Sequence, residues 1–221
     1  MTAIWSFLRS TIGLKVMMAV SGFILFGFCV EHLIGMLLFF KGPETINGYG
    51  ELLRYSTIVL WTARSLILIA VIFHIWTATV LVLRQWSARP VGYQRSQSRT
   101  NSYAARTMKY SGPVLLGFVF FHLAHLTWGW NVTPAPFVEG DVYANLSNSF
   151  QYGWVTLVYV VGTCVVGLHL IHGGHSMFES LGLRHPRFDG LIRTVVGGAT
   201  LAVVGGFVFL PCAILFKLAG G

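Results

Sequence analysis

About 20 mainly apolar residues carry an α-helix across the hydrocarbon core of a bilayer, and five stretches of this chain meet that requirement. They run roughly over Val16–Phe40, Ile58–Leu83, Pro113–Trp130, Trp154–Met177 and Leu191–Phe216. Within lipid each backbone N–H and C=O must be satisfied inside its own helix, which leaves no room for open strands or irregular chain. The expected fold is all-α, an integral membrane bundle of five transmembrane helices forming one domain over residues 1–221. Glycines and the single Pro211 inside these runs do not argue against helices, because both are tolerated there. The first run is longer than a signal-peptide core and lacks a clean cleavage signature, so it is expected to be retained. No internal repeat, low-complexity tract or soluble domain is visible, and the longest connections are about 25 residues.

Composition agrees. Only 10% of the residues are charged and the mean hydropathy is +0.69, whereas a soluble domain carries about a quarter charged residues. That excludes an ordinary soluble domain, and it excludes intrinsic disorder, which requires high polarity. The 25 glycines, 17 phenylalanines and 7 tryptophans suit helices packed against one another in lipid.

The net charge of +8 invites a nucleic-acid partner, but most of the basic residues fall between the apolar runs. There they set orientation instead, and no nucleic acid is expected. The connection from Arg84 to Lys109 also holds Arg89, Arg95, Arg99 and Arg106 and no acid; that from Gly129 to Gly153 holds only Glu139 and Asp141. Counting positive residues inside places the first connection in the cytoplasm and the second outside. The N-terminus, with Arg9 and Lys15, and the loop with Arg184, Arg187 and Arg193 then also face the cytoplasm. Eleven basic residues lie inside and four outside: Lys41, Arg54, Arg64 and Lys217. The expected location is the cell's inner (cytoplasmic) membrane, crossed several times.

Cys29, Cys164 and Cys212 stand singly within apolar runs, with no CxxC pair, no CxxCH and no disulfide spacing. They read as small buried core residues. The histidines are different. Seven of the eight, His32, His74, His122, His125, His169, His172 and His175, fall in predicted spans. Ionisable groups are costly at that depth and usually serve a function. One such residue can simply hydrogen-bond across a bundle, but histidines on four consecutive helices are hard to explain that way.

Counting from the span ends places His32 and His122 nearer the outer side, and His74 and His169 nearer the cytoplasm. At 1.5 Å per residue the two levels differ by roughly 10 Å. Zinc takes four tight ligands, or three and water; copper favours Met or Cys partners. Two pairs at two depths fit two b haems held non-covalently, each with a histidine on either face in a wide apolar slot. A haem with both axial positions filled carries electrons rather than binding oxygen. His125 stands three residues from His122 and is its nearest substitute. His172 and His175 follow His169 towards the cytoplasm, where they are candidates for contact with haem propionates or a quinone.

Several motifs resemble a known family. Lys15-Val-Met-Met-Ala-Val-Ser-Gly22, followed ten residues later by His32-Leu-Ile-Gly35, resembles the first-helix signature of the succinate dehydrogenase/fumarate reductase cytochrome b subunit. The similarity is to the branch in which one polypeptide supplies five helices and two haems. Ser111-Gly112 ten residues before His122 resembles the third-helix pattern, and His169 with Gly173 and Gly182 the fourth; His74 on the second helix completes the set. The resemblance runs over roughly residues 13 to 216. It implies one haem held by His32 with His122, distal to the soluble subunits, and a proximal haem held by His74 with His169. Counting depth reaches the same pairing. It further implies a membrane quinone, menaquinone or ubiquinone, and two partners on the cytoplasmic face. These are a flavoprotein with covalent FAD, where succinate and fumarate interconvert, and an iron–sulfur subunit. This chain has no dinucleotide fingerprint and no cluster cysteines, so FAD and Fe–S clusters belong to the partners.

One position departs from the pattern. Some menaquinol-fumarate reductases of the family carry a Glu two residues before the fourth-helix histidine, used to return protons; here it is Gly167. Glu31, beside His32, reads as an unpaired intramembrane acid able to exchange protons. Candidate quinone-binding groups are Glu44, Asn47, Tyr49, Glu51 and Arg54 outside, and Lys15, Ser21, His172 and His175 inside. The competing readings are a dihaem anchor of another complex, such as a hydrogenase or formate dehydrogenase, and a transporter whose histidines relay protons. The order and spacing of the histidines favour the first reading over the second, and the lack of repeat symmetry counts against the third.

Overall fold

The computed structural model describes residues 3–88 and 103–219; the side chains of 103–106 and 109 lie outside the described set. The described chain is helical: α1 (Ala3–Arg9), α2 (Thr11–Leu37), α3 (Pro43–Tyr55), α4 (Thr57–Ser87), α5 (Tyr103–Leu126), α6 (Val142–Phe150), α7 (Gly153–Ser180) and α8 (Pro186–Leu215), with a 3-10 turn at Leu38–Lys41. Four of these, α2 extended by its turn, α4, α7 and α8, are long and apolar enough to cross a membrane. They mark a multi-pass membrane protein. At 1.5 Å per residue, the 31 residues of α4 reach about 45 Å, well beyond the roughly 30 Å hydrocarbon core.

The third predicted span is the exception. Its helix ends at Leu126 rather than Trp130, and its apolar part is only Tyr110–Leu126. That stretch is about 25 Å long, a little less than the core thickness. Trp128 and Trp130 lie in the turn that follows and pack edge-on against Phe120.

Helix starts follow local chemistry. The Ser10 hydroxyl accepts from the Gly13 N–H at α2, and the Ser56 hydroxyl accepts from the Val59 N–H at α4. Pro43 and Pro186 occupy first turns, where a missing N–H costs nothing.

α7 is the organising helix, packed against α2, α5 and α8, while α2 also lies along α4. The apolar faces point outward: on α4 only Ala70 and Thr77 are buried, and Leu66, Leu68, Ile69, Ile72 and Phe73 are exposed. Such a surface is stable against lipid and not against water.

Two connections that read as plain loops contain helices, α3 and α6, which come together at one end of the bundle. Their apolar sides close a buried cluster of Phe39, Ile46, Leu146, Phe150, Val155, Tyr159, Leu210 and Ile214. Asn47 ties them, donating from Nδ2 to Asp141 Oδ1 at 2.9 Å and accepting from the Tyr143 N–H at 3.1 Å. Asp141 Oδ1 also accepts from the Ala144 N–H, capping α6. The Ala144 N–H first, and the Asn47 amide second, hold the Asp141 carboxyl below its usual range.

At the opposite, basic end, Arg84 donates to the Arg9 carbonyl at 2.9 Å and to the Thr11 hydroxyl at 3.4 Å. Arg84 thereby ties the end of α4 to the start of α2. Arg184 pairs with Glu179 and Asp189, and Arg193 with Asp189, so two of the basic residues expected to face a partner are already neutralised. Arg89, Arg95 and Arg99 lie outside the described residues, as do the side chains of Arg106 and Lys109. The cysteine reading needs one correction: Cys29 and Cys212 are half-buried, but Cys164 is exposed on the outer face of α7.

Candidate functional site

The four histidines singled out by sequence meet as two pairs. The rings of His32 on α2 and His122 on α5 have centroids 5.8 Å apart, at an interplanar angle of 81°. Those of His74 on α4 and His169 on α7 are 6.0 Å apart, at 66°. A metal ion bound at about 2 Å to one nitrogen of each of two imidazoles separates the ring centroids by about 6 Å. Both pairs stand at that spacing.

The levels are further apart than counting from span ends gave. On α2, Ser21 meets the His74 ring and His32 lies eleven residues on; on α5, Ser111 meets the His169 ring and His122 lies eleven residues on. Both helices therefore put the pairs about 16 Å apart, not 10 Å. Span ends were a poor ruler, since α2 and α7 extend beyond the runs used to count.

The surroundings of the pairs differ. His32 lies between Phe28, stacked at 5.4 Å, and Phe207 at 5.5 Å. His122 contacts Phe118 and the buried Tyr159. The His74 ring instead touches the Ser21 hydroxyl, 3.3 Å from Nδ1, and lies beside Gly22, where an added Cβ would stand 3.3 Å from Cε1. The Ser111 hydroxyl is 3.2 Å from His169 Nδ1.

The donor set fits haem better than a closed metal centre. Among the described residues, no three His, Cys, Asp or Glu side chains converge as ligands to a metal ion. Paired imidazoles amid aromatic and small residues suit axial ligation of a large apolar macrocycle. His125, three residues from His122, faces other partners. Buried, it engages both ring nitrogens, Nδ1 with the Tyr159 hydroxyl at 3.1 Å and Nε2 with Ser149 Oγ at 3.0 Å. His172 and His175 are half-buried. Among the described residues His175 Nε2 is buried without a hydrogen-bond partner.

Glu31 is not unpaired: Tyr49 on α3 donates its hydroxyl to Glu31 Oε1 at 2.6 Å. That hydrogen bond, then burial and the carboxylate charge, push the Tyr49 hydroxyl up to about 12. Of the outer quinone-binding candidates, Tyr49 is thus engaged with Glu31 and Asn47 with α6, while Glu44 and Glu51 are exposed. Of the inner ones, Ser21 is turned to His74 and Lys15 is exposed. Gly167 has a packing reason: a Cβ there would stand 2.5 Å from Val204 Cγ2 on α8, so a glutamate has no space.

The two serines carry a signal sequence reasoning passed over. Ser21-Gly22 and Ser111-Gly112 are the same dipeptide, each with a histidine eleven residues after the serine. An apolar groove of about 280 Å³ between α2 and α4 runs past Ser21, lined by Val16, Val20, Leu66, Ile69 and Phe73. Comparison with family models, with curated proteins and with solved structures gives no match to this chain.

Proposed function

We propose that this chain is the dihaem cytochrome b membrane anchor of a succinate:quinone oxidoreductase, a respiratory complex II or fumarate reductase. The observation that carries the reading is the pair of histidine pairs, with centroids at 5.8 and 6.0 Å, on alternating helices of an apolar bundle. His32 with His122 would hold one b haem and His74 with His169 the other. When bound, the haems supply one-electron carriage between an iron–sulfur subunit and a membrane quinone.

The chain's own contribution is to present imidazoles in fixed pairs and to keep water from them with aromatic and aliphatic side chains. In this reading α2, α4, α5, α7 and α8 all span the membrane. The basic end, with Arg9, Lys15, Arg84 and Arg187, faces the cytoplasm, where the iron–sulfur and flavoprotein subunits dock. The α3–α6 end faces outward. No succinate chemistry occurs on this chain alone.

A reduced-minus-oxidised visible spectrum of the purified chain is expected to show b-type haem, two per polypeptide; absence of haem overturns the reading. Co-purification of a flavoprotein and an iron–sulfur protein distinguishes this complex from a hydrogenase or formate dehydrogenase anchor. A reporter fused after Gly221 is expected to behave as non-cytoplasmic, and cytoplasmic activity there would overturn the orientation.

A further inference from the structure

Within one pair of histidines the hydrogen-bond pattern favours one ring nitrogen as the carrier of the proton. The Ser21 hydroxyl has one hydrogen. Its oxygen lies 2.9 Å from the Met17 carbonyl and 3.1 Å from the Met18 carbonyl, both of which only accept. Donating its hydrogen there leaves Oγ with lone pairs for His74 Nδ1 at 3.3 Å. In that arrangement His74 Nδ1 is the donor, as its N–H.

Ser111 repeats the arrangement on α5. With its hydroxyl donated to the Met108 carbonyl at 3.2 Å, Oγ is left to accept from His169 Nδ1, also at 3.2 Å. Both serines are buried, at 4% and 5% exposure, so water does not substitute for them. With Nδ1 protonated in both rings, Nε2 keeps the lone pair in both.

We infer that Ser21 and Ser111 are positioning residues: they hold His74 and His169 in the tautomer and ring orientation in which both Nε2 atoms are free to bind one metal centre. This rests on the dihaem reading and deepens it. Among the described residues, His32 and His122 make no hydrogen bond, so the device belongs to one pair only. A hydrogen-bond acceptor on the far nitrogen raises the basicity of a ligating imidazole. An electron-richer ligand favours the oxidised metal. The serines should therefore lower the potential of the haem at His74 and His169 and leave the other haem unaffected.

The test is an optical redox titration and a low-temperature EPR spectrum of the full haem-loaded chain. The variants are Ser21→Ala, Ser111→Ala, Ser21→Thr and Ser111→Thr, and the haem that disappears in His74→Ala identifies the affected centre. Each alanine variant is expected to raise the midpoint potential of that haem and shift its low-field EPR signal, which reports how the imidazole planes are turned. The second haem should keep both values, and the threonine variants, which retain the hydroxyl, should match the unaltered chain.

Alanine variants that keep both haems at unchanged potentials would overturn the serine assignment while leaving the dihaem reading intact. An unaltered chain without b haem overturns both. If an alanine variant loses the affected haem, the threonine variant decides. Haem regained at the original potential upholds the assignment, and haem lost again overturns it.

Discussion

The two histidine pairs are alike in spacing and unlike in company. His74 and His169 each meet a buried serine within hydrogen-bond distance of Nδ1. His32 and His122 are held by rings, Phe28, Phe207, Phe118 and Tyr159, with no hydrogen bond among the described residues. One pair is oriented by polar contacts and the other by packing. The lesson is that the same ring spacing can be reached by two routes, and on the dihaem reading those routes would give the two sites different electronic character. Hydrogen bonds act on the basicity of a ligand, whereas aromatic walls act on solvent access.

The largest effects should come from the histidines. His74→Ala and His169→Ala are expected each to remove the same haem, halving haem per polypeptide, and His32→Ala and His122→Ala the other. Pyridine haemochrome content together with the difference spectrum reads this directly. If His122→Ala kept both haems while His125→Ala lost one, the aromatic-walled pair would be wrongly assigned.

A smaller effect should separate the pairs by packing. Gly22 faces the His74 ring, and overfilling a packed site costs about 1–3 kcal/mol, roughly ten- to a hundredfold in affinity. Gly22→Leu should therefore weaken haem retention at His74 and His169 during washing in detergent, with the other haem retained. Equal loss of both would break the distinction between the sites.

His125→Ala tests whether that ring belongs to the framework. It leaves the buried Tyr159 hydroxyl and Ser149 Oγ without their partner, at a cost of about 1–3 kcal/mol. A lower thermal midpoint with both haems present is expected.

The smallest effect is at Asp141. Its folded pKa lies below its unfolded value, so its stabilisation is complete above the ordinary 3.8 and disappears as pH falls through the lower folded value. Loss of stability on acidification below pH 4 should be blunted in Asp141→Asn, measured as thermal midpoint against pH.

The long apolar helices and the pairing of the four histidines could be read from residue order, because hydropathy and a polar group in an apolar run are local signals. The cap was less legible. Ile46, Leu146 and Phe150 are apolar faces of short helices inside otherwise polar connections, and nothing local says that α3 and α6 find each other. Glu31 was misread for the same reason, since its partner Tyr49 lies 18 residues away on another helix. The serines were visible as a repeated Ser-Gly dipeptide. Their role depends on which ring lies opposite, His74 53 residues from Ser21 and His169 58 residues from Ser111, and that is a matter of packing.

The bond between Asn47 and Asp141 joins residues 94 apart in the chain. During synthesis the first of these helices is finished long before the second has left the ribosome. Until then Phe39 and Ile46 lack the side chains of Leu146 and Phe150 that bury them. Closure of the cap is thus a late event in assembly, ordered by the direction of translation. The cluster that the cap completes also takes Leu210 and Ile214 from α8, so this end of the bundle is finished only when the last helix has been made.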